Sequence, residues 1–304
     1  MTVDPLTCPD PLAERRYAYA QAAATEGDWE AAAEMFEQAL ELAPVWAPAW
    51  YALAQAREKL GDPSAAAAYA TALAADAHDS QGAGVQLARL ENRAVSALPP
   101  AYVARLFDDY APRFDQHLTE TLGYRGPELI VAALDAVAPG RRFARALDLG
   151  CGSGLAGRVL RSRVQRLDGV DLSAGMVAQA RATQVYDDLV VGDLEAFLAA
   201  RAGGGAELAV AADTFVYIGE LTPVFAAAAA ALAPSGVLVF TVESGEAAFA
   251  LGPSMRFRHS DVHVRAAAAA ADLRVVHLAC ASVRQEAGRT TEGRVIVLAH
   301  GEPV

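Results

Sequence analysis

One run, Asp148-Leu149-Gly150-Cys151-Gly152-Ser153-Gly154, limits the fold of this 304-residue chain more than any other stretch. It joins a strand-like segment, Arg145 to Leu149, to a helical one, Leu155 to Arg163, so it reads as a strand-to-helix turn. Its glycines permit a tight turn and bring backbone against a ligand at the carboxyl end of a strand. The alternation then repeats. Leu167 to Asp171 and Leu189 to Val191 read as strands, with Ala174 to Ala182 a helix between them. A helix over Leu194 to Ala202, a strand over Glu207 to Ala211, a long helix ending at Leu232 and a strand over Val237 to Glu243 follow. Such βαβ alternation predicts an α/β fold with a doubly wound parallel sheet. Ser260 opens a last helix as its N-cap, and Leu273 to Ala279 with Arg294 to His300 are expected as an edge hairpin.

Spacing within the turn narrows the ligand. A dinucleotide fingerprint needs G-x-G-x-x-G, whereas Gly150, Gly152 and Gly154 give G-x-G-x-G. The run also lacks the Gly-Lys-Ser/Thr that would hold a triphosphate. Asp171, 21 residues after Gly150, closes the second strand in Gly169-Val170-Asp171-Leu172-Ser173, where a carboxylate can accept both hydroxyls of a ribose. Asp193, in Gly192-Asp193-Leu194, closes the third and can take the exocyclic amine of adenine. Asp148 adds a negative charge near the glycines that suits a cationic ligand and opposes a pyrophosphate.

These residues resemble the motifs of class I S-adenosylmethionine-dependent methyltransferases, whose sheet is Rossmann-like. The resemblance implies S-adenosylmethionine as cofactor, with S-adenosylhomocysteine as product. It assigns Asp148 and Gly150, with Cys151, Gly152 and Gly154 of the same turn, to the methionyl end. Asp171 with Leu172 falls to the ribose, Asp193 with Leu194 to the adenine, and Met176 to the face of the adenine ring. The stretch Phe107 to Asp115 looks like that family's lid helix, with Tyr110 and Phe114 on one face. Arg125, in Leu122-Gly123-Tyr124-Arg125, is expected to pair with the methionyl carboxylate or to lie at the surface. Asp213 completes the expected cofactor set.

Methyl transfer asks mainly for proximity, plus a base where the nucleophile is poor. Candidates for that chemistry follow the fourth and fifth strands: Asp213, Thr214 and Tyr217, then Glu243 and Ser244. Met255 to Ser260 is expected as a substrate-binding wall, and within it His259 is the candidate base because imidazole titrates near neutrality. Glu243 has the alternative of a strand-end cap and Tyr217 that of a core residue. His259, Asp261 and His263 are not read as a metal site, since the last two suit the first turn of a helix. Arg284 to Gly288 reads as a solvated hairpin turn.

Ahead of this region, Gly27-Asp28-Trp29 with Ala32, Phe36 and Ala39 recurs as Gly61-Asp62-Pro63 with Ala65, Tyr69 and Ala72, a period of 34 residues. Period and small/large alternation resemble tetratricopeptide repeats. Gly82 to Glu91 is a further helix suited to cap them. The expected organisation is a helical repeat domain over 1–93 and a linker over 94–100. The methyltransferase domain then runs over 101–304, with lid helices at 101–138 and the sheet core at 145–304.

The expected acceptor is a small molecule. A peptide or protein held by the repeats is the alternative, as is a non-catalytic cofactor-binding scaffold, and the repeats also suit a homodimer. The net charge of −12 opposes a phosphate backbone, so no nucleic acid is expected. The apolar alanine runs are too short for a membrane helix. Met1 to Asp10 carries acid and prolines where a secretory signal needs a basic patch and an apolar stretch, so a cytoplasmic location is expected. The three cysteines lack metal-site spacing, and free thiols are expected.

Overall fold

The computed structural model describes residues 6–114, 124–286 and 289–300. The chain divides into two compact units, Met1–Tyr102 and Val103–Val304.

The first unit is helical: α1 (Pro11–Glu26), α2 (Trp29–Leu42), α3 (Ala47–Lys59), α4 (Ala65–Ala75) and α5 (Ala83–Leu90). Asp10 caps α1 through the amides of Leu12 and Ala13, and Gly27 ends it in the left-handed region at φ 85°. Asp28 then caps α2 through the amide of Ala31. Small residues let the helices approach closely. Ala13, Ala20, Ala32, Ala39 and Ala49 are fully buried, while Phe36, Trp46 and Leu53 fill the remaining space. A second cluster gathers Ala54, Ala68, Tyr69 and Ala72, and the Tyr69 hydroxyl donates to Glu58 at 3.1 Å.

A further helix, α6 (Pro100–Tyr110), and a 3-10 turn over Ala111–Arg113 come before α7 (Gly126–Val137). The sheet unit then runs β1 (Phe143–Leu149), α8 (Leu155–Leu160), β2 (Val164–Asp171), α9 (Ala174–Ala182), β3 (Asp188–Val191), α10 (Leu194–Ala199), β4 (Ala206–Ala211), α11 (Thr222–Ala231) and β5 (Leu232–Ser244). Strands β3, β2, β1, β4 and β5 lie side by side in that order, all parallel. Reversal of strand order beside β1 opens a crevice at the carboxyl ends of β1 and its neighbours, where α/β sheets bind ligands.

Helices cover both faces, so the central strands bury both sides. Leu147, Leu149, Ala209, Leu238 and Phe240 face α11 and α12 (Asp261–Ala270) through Phe225 and Val264. Ala146, Leu208, Val210 and Val239 face α7 and α8 through Ile130, Leu134 and Leu160.

Two features depart from the sequence reading. The last strands, β8 (Leu273–Glu286) and β9 (Arg289–His300), form the expected antiparallel edge hairpin but are longer than expected, with β9 antiparallel beside β5 and β8 outermost. The segment expected only as a wall contains two short strands, β6 (Phe249–Leu251) and β7 (Phe257–His259). β9 occupies one edge of β5 from Val237 to Glu243, and β4 occupies the other only as far as Phe240. β7 therefore continues the lane of β4, pairing with Glu243 and Ser244. Three-residue strands carry too little alternation to be read from sequence.

Of the expected lid and turn residues, Asp115, Leu122, Gly123, Ala287 and Gly288 lie outside the described residues. Among the described residues no helix is long and apolar enough to cross a membrane.

Candidate active site

A cavity of about 410 Å³ opens at the carboxyl ends of β1, β2, β3 and β4, lined wholly by residues of the second unit. Its first half is made by strand ends and glycines. Gly150 and Cys151 donate their amides to the Val170 carbonyl at 2.9 Å, which folds the turn back over β2. Gly150 sits at φ 71°, and a Cβ there would come within 2.5 Å of the Thr214 side chain. Only glycine meets both demands. Gly152 is also left-handed, but a Cβ there would meet only the Phe114 ring, at 3.8 Å, so its backbone faces open cavity. The amide of Gly152 donates to one oxygen of Asp171, and that of Ser173 to the other, each at 2.9 Å. Burial pushes the Asp171 carboxyl above the usual range against those two bonds, and nearby Asp108 adds to the shift. Leu172, Gly192 and Leu194 complete this half.

Helix α6 covers the same end of the sheet. Asp108 accepts from the Ser173 hydroxyl at 2.5 Å and from the Gly175 amide at 2.9 Å, while Ser173 caps α9 through the Met176 amide at 3.0 Å. Gln179 donates to the Ala111 carbonyl just beyond α6. These bonds fix Phe107 and Tyr110 as lining residues.

The second half is built around Arg256, which is 8% exposed. Its Nε donates to Glu243 at 2.8 Å, its Nη1 to the Tyr217 hydroxyl at 2.7 Å and its Nη2 to Asp213. Burial opposes its charge, but Asp213, Tyr217 and Glu243 outweigh burial and hold the guanidinium above its ordinary pKa. Asp213 is left-handed at φ 60°, a conformation that Asp tolerates better than most side chains, and its amide is held by the Thr241 hydroxyl at 2.9 Å. Strained backbone at a cavity wall is a mark of functional sites. Thr214 donates to the Leu149 carbonyl at 2.9 Å, tying the end of β4 to the glycine turn. Tyr124 lines the same half, and burial, then the charge of Asp213, raises its phenol well above the ordinary value, so it remains a hydroxyl donor.

A profile of the methyltransferase domain matches residues 146–236, and one of the tetratricopeptide repeat matches 13–45 and 47–74. Residues 146–236 are a methyltransferase domain. Over 94 residues the chain is 42% identical to the malonyl-[acyl-carrier protein] O-methyltransferase of Enterobacter lignolyticus (strain SCF1), which covers 31% of this chain and 35% of that protein. It is 38% identical over 112 residues to methyltransferase-like protein 27 of Homo sapiens, covering 36% and 45%. The matched stretch thus spans between about a third and a half of those relatives. Among solved structures, the fold matches Burkholderia thailandensis 1,6-didemethyltoxoflavin-N1-methyltransferase, solved with 1,6-didemethyltoxoflavin and S-adenosylhomocysteine bound. The TM-score is 0.52 at 18% identity, over 66% or more of each chain: 69% of this one and 93% of that one.

From the residues singled out in the sequence, the cavity gathers Phe107, Tyr110, Phe114, Gly150, Gly152, Asp171, Leu172, Leu194, Asp213, Thr214 and Tyr217. The others lie elsewhere. Asp148 is buried beneath the turn and accepts from the Tyr186 hydroxyl at 2.7 Å; burial pushes its pKa up to about 7. Cys151 is buried too, with its thiol pushed up by the same cause, and Gly154 is the left-handed residue opening α8. Met176 has no exposure and packs in the interior instead of facing a ring. Asp193 spends its Oδ1 on the amides of Glu195 and Ala196 as the N-cap of α10. Arg125 is exposed just before α7 and does not line the cavity.

Of the candidates for chemistry, Glu243, Ser244 and His259 do not line the cavity. His259 is 1% exposed and its Nε2 lies 2.8 Å from the Ile218 carbonyl, with burial lowering its pKa to about 4. Glu243 is buried, accepts from Arg256 at 2.8 Å, has Arg258 at 3.8 Å from its other oxygen, and does not line the cavity. The residues missed by the sequence reading are Arg256, Tyr124 and Asp108. Arg256 lay in the stretch marked as a substrate wall, but only the return of β7 beside β5 brings it to Asp213.

Proposed function

We propose that this chain is an S-adenosylmethionine-dependent methyltransferase acting on a small-molecule acceptor. The observation that carries the reading is the pairing of a buried carboxylate, Asp171, at the carboxyl end of β2 with the open backbone of Gly152, inside a matched methyltransferase domain. A carboxylate so placed suits a ribose, and the exposed glycine backbone suits a polar chain lying close against it. Leu172 and Leu194 supply apolar walls for a flat base. Gly150 and Gly152 receive the methionyl end, while Asp148 and Cys151 shape the turn from beneath.

When bound, the cofactor would supply an electrophilic methyl group to a lone pair of the acceptor. The chain's own part is to orient the two molecules and exclude bulk water, using α6 as a roof and the Arg256 cluster as a wall. Enclosure under α6 favours a small acceptor over a folded protein. The malonyl-acyl-carrier-protein acceptor named for two relatives is not carried over, because the shared stretch is about a third of those proteins.

Calorimetric titration of the full chain with S-adenosylmethionine and S-adenosylhomocysteine tests the reading. Micromolar binding that weakens in Asp171→Ala supports it; no binding to the wild type ends it.

A further inference from the structure

We infer that Asp108 is a positioning residue that clamps the roof helix α6 to the start of α9, and that release of this clamp governs the passage of a nucleoside into and out of the cavity. The inference rests on the proposed function for the identity of that ligand. Two features of the clamp carry it.

The first is where its bonds go. One oxygen of Asp108 accepts from both the Ser173 hydroxyl, at 2.5 Å, and the Gly175 amide, at 2.9 Å. Ser173 gives its own amide to Asp171 at 2.9 Å. A single residue thus ties the roof to the carboxylate suited to a ribose. One turn further along α9, Gln179 donates to the Ala111 carbonyl just beyond α6. A Cβ at Gly175 would lie 3.2 Å from the same Asp108 oxygen and 3.1 Å from the Ala111 Cβ, so a larger side chain there would push the two segments apart. Glycine lets the backbones approach this closely.

The second is what the clamp holds. Val103, Leu106, Phe107 and Tyr110 of α6 line the cavity. The Phe107 ring meets that of Tyr217, in the Arg256 cluster, edge-to-face at 5.5 Å and 89°. Helix α6 therefore reaches from the ribose carboxylate to the far wall. Asp108 does not line the cavity, and the partners of its two bonds belong to the chain, so these bonds oppose opening without grasping a ligand. Bonds of that kind slow entry and exit alike and leave affinity nearly unchanged.

The test compares two substitutions that remove the same charge. Asp108→Asn keeps an oxygen able to accept both bonds, whereas Asp108→Ala keeps none. The full chain is tethered to a surface plasmon resonance sensor, and S-adenosylhomocysteine flows across it. Relative to Asp108→Asn, Asp108→Ala is expected to raise both the association and the dissociation rate constant by about fivefold, the scale of a lost hydrogen bond, while Kd stays within about twofold. Equal rate constants in the two variants overturn the inference. So does a Kd weakened by about tenfold with association unchanged, which would make Asp108 part of the binding surface. A variant that folds incompletely lowers the binding capacity of the sensor but not the rate constants of its folded fraction, so a merely structural lesion is told apart. If the wild type binds no S-adenosylhomocysteine, the proposed function fails and the clamp is read by hydrogen exchange instead. Faster exchange of the α6 amides in Asp108→Ala than in Asp108→Asn then supports the clamp, and equal exchange overturns it.

Discussion

The two halves of the cavity are built by different means. The cofactor half uses neighbours in sequence: a glycine turn, a carboxylate at the next strand end, and amides two residues away. The half proposed for the acceptor uses side chains from three separate places, with Asp213 and Tyr217 just after β4, Glu243 near the end of β5 and Arg256 between β6 and β7. Backbone bonds hold the first half, and one buried cation holds the second. The difference teaches where such a site can change. A new acceptor wall needs only a new hairpin, while a new cofactor site would need a new turn between β1 and α8.

The comparison breaks most visibly at Arg256. Arg256→Met removes the buried cation that Asp213 and Glu243 share, leaving Glu243 with the exposed Arg258 at 3.8 Å, and loss of one partner from a buried pair costs about 3–5 kcal/mol. Urea denaturation is expected to show that loss of stability; a change under 1 kcal/mol, on the scale of about 0–1 kcal/mol typical of exposed pairs, would mean that the cluster does not hold the wall. Asp171→Ala is the matching lesion in the cofactor half. It should weaken S-adenosylhomocysteine binding by roughly 1.5–3 kcal/mol, the worth of a hydrogen bond to a charged group, while the fold persists.

Two buried groups outside the cavity, Asp148 and His259, differ in the sign of their pH response. Asp148, raised to about 7 by burial, keeps its proton in the folded chain between about pH 4 and 7 after the unfolded chain has released its own. Its contribution is full at the acid end and fades as pH rises, by at most about 1.4 kcal/mol per unit. His259, lowered to about 4 by burial, stays neutral when folded while the unfolded imidazole takes a proton below about 6.5. Its contribution is full at neutrality and is lost as pH falls. In urea titrations from about pH 4.5 to 7, the stability of Asp148→Asn relative to wild type should rise with pH. That of His259→Gln should fall, and parallel curves would contradict both assignments.

The smallest effect is expected at Asp193. Asparagine caps a helix about as well as aspartate, so Asp193→Asn should change both stability and nucleoside affinity by less than about 0.5 kcal/mol. A tenfold loss of affinity with unchanged stability would restore Asp193 to the ligand set.

Much of the sheet unit could be read in advance because its signals are local. Gly150 is demanded by a positive φ, Ser260 is set by capping of α12, and the succession of β1 to β5 follows from alternating periodicity. The same holds for Gly27 and Asp28 in the repeats. Errors arose where identity of a residue was taken to imply its direction. Asp148 and Met176 stand beside cavity residues in sequence, yet they face the interior, because which side of a strand or helix is covered depends on what packs there.

Sequence alone therefore determined the parts whose causes lie within a few residues: two kinds of unit, a parallel sheet, a glycine turn beside β1 and a carboxylate at the end of β2. The tertiary structure alone decided the acceptor wall. A buried guanidinium needs partners from several strands at once, and Arg256 finds them only after β9 has taken one edge of β5 and β7 has continued the lane of β4 on the other.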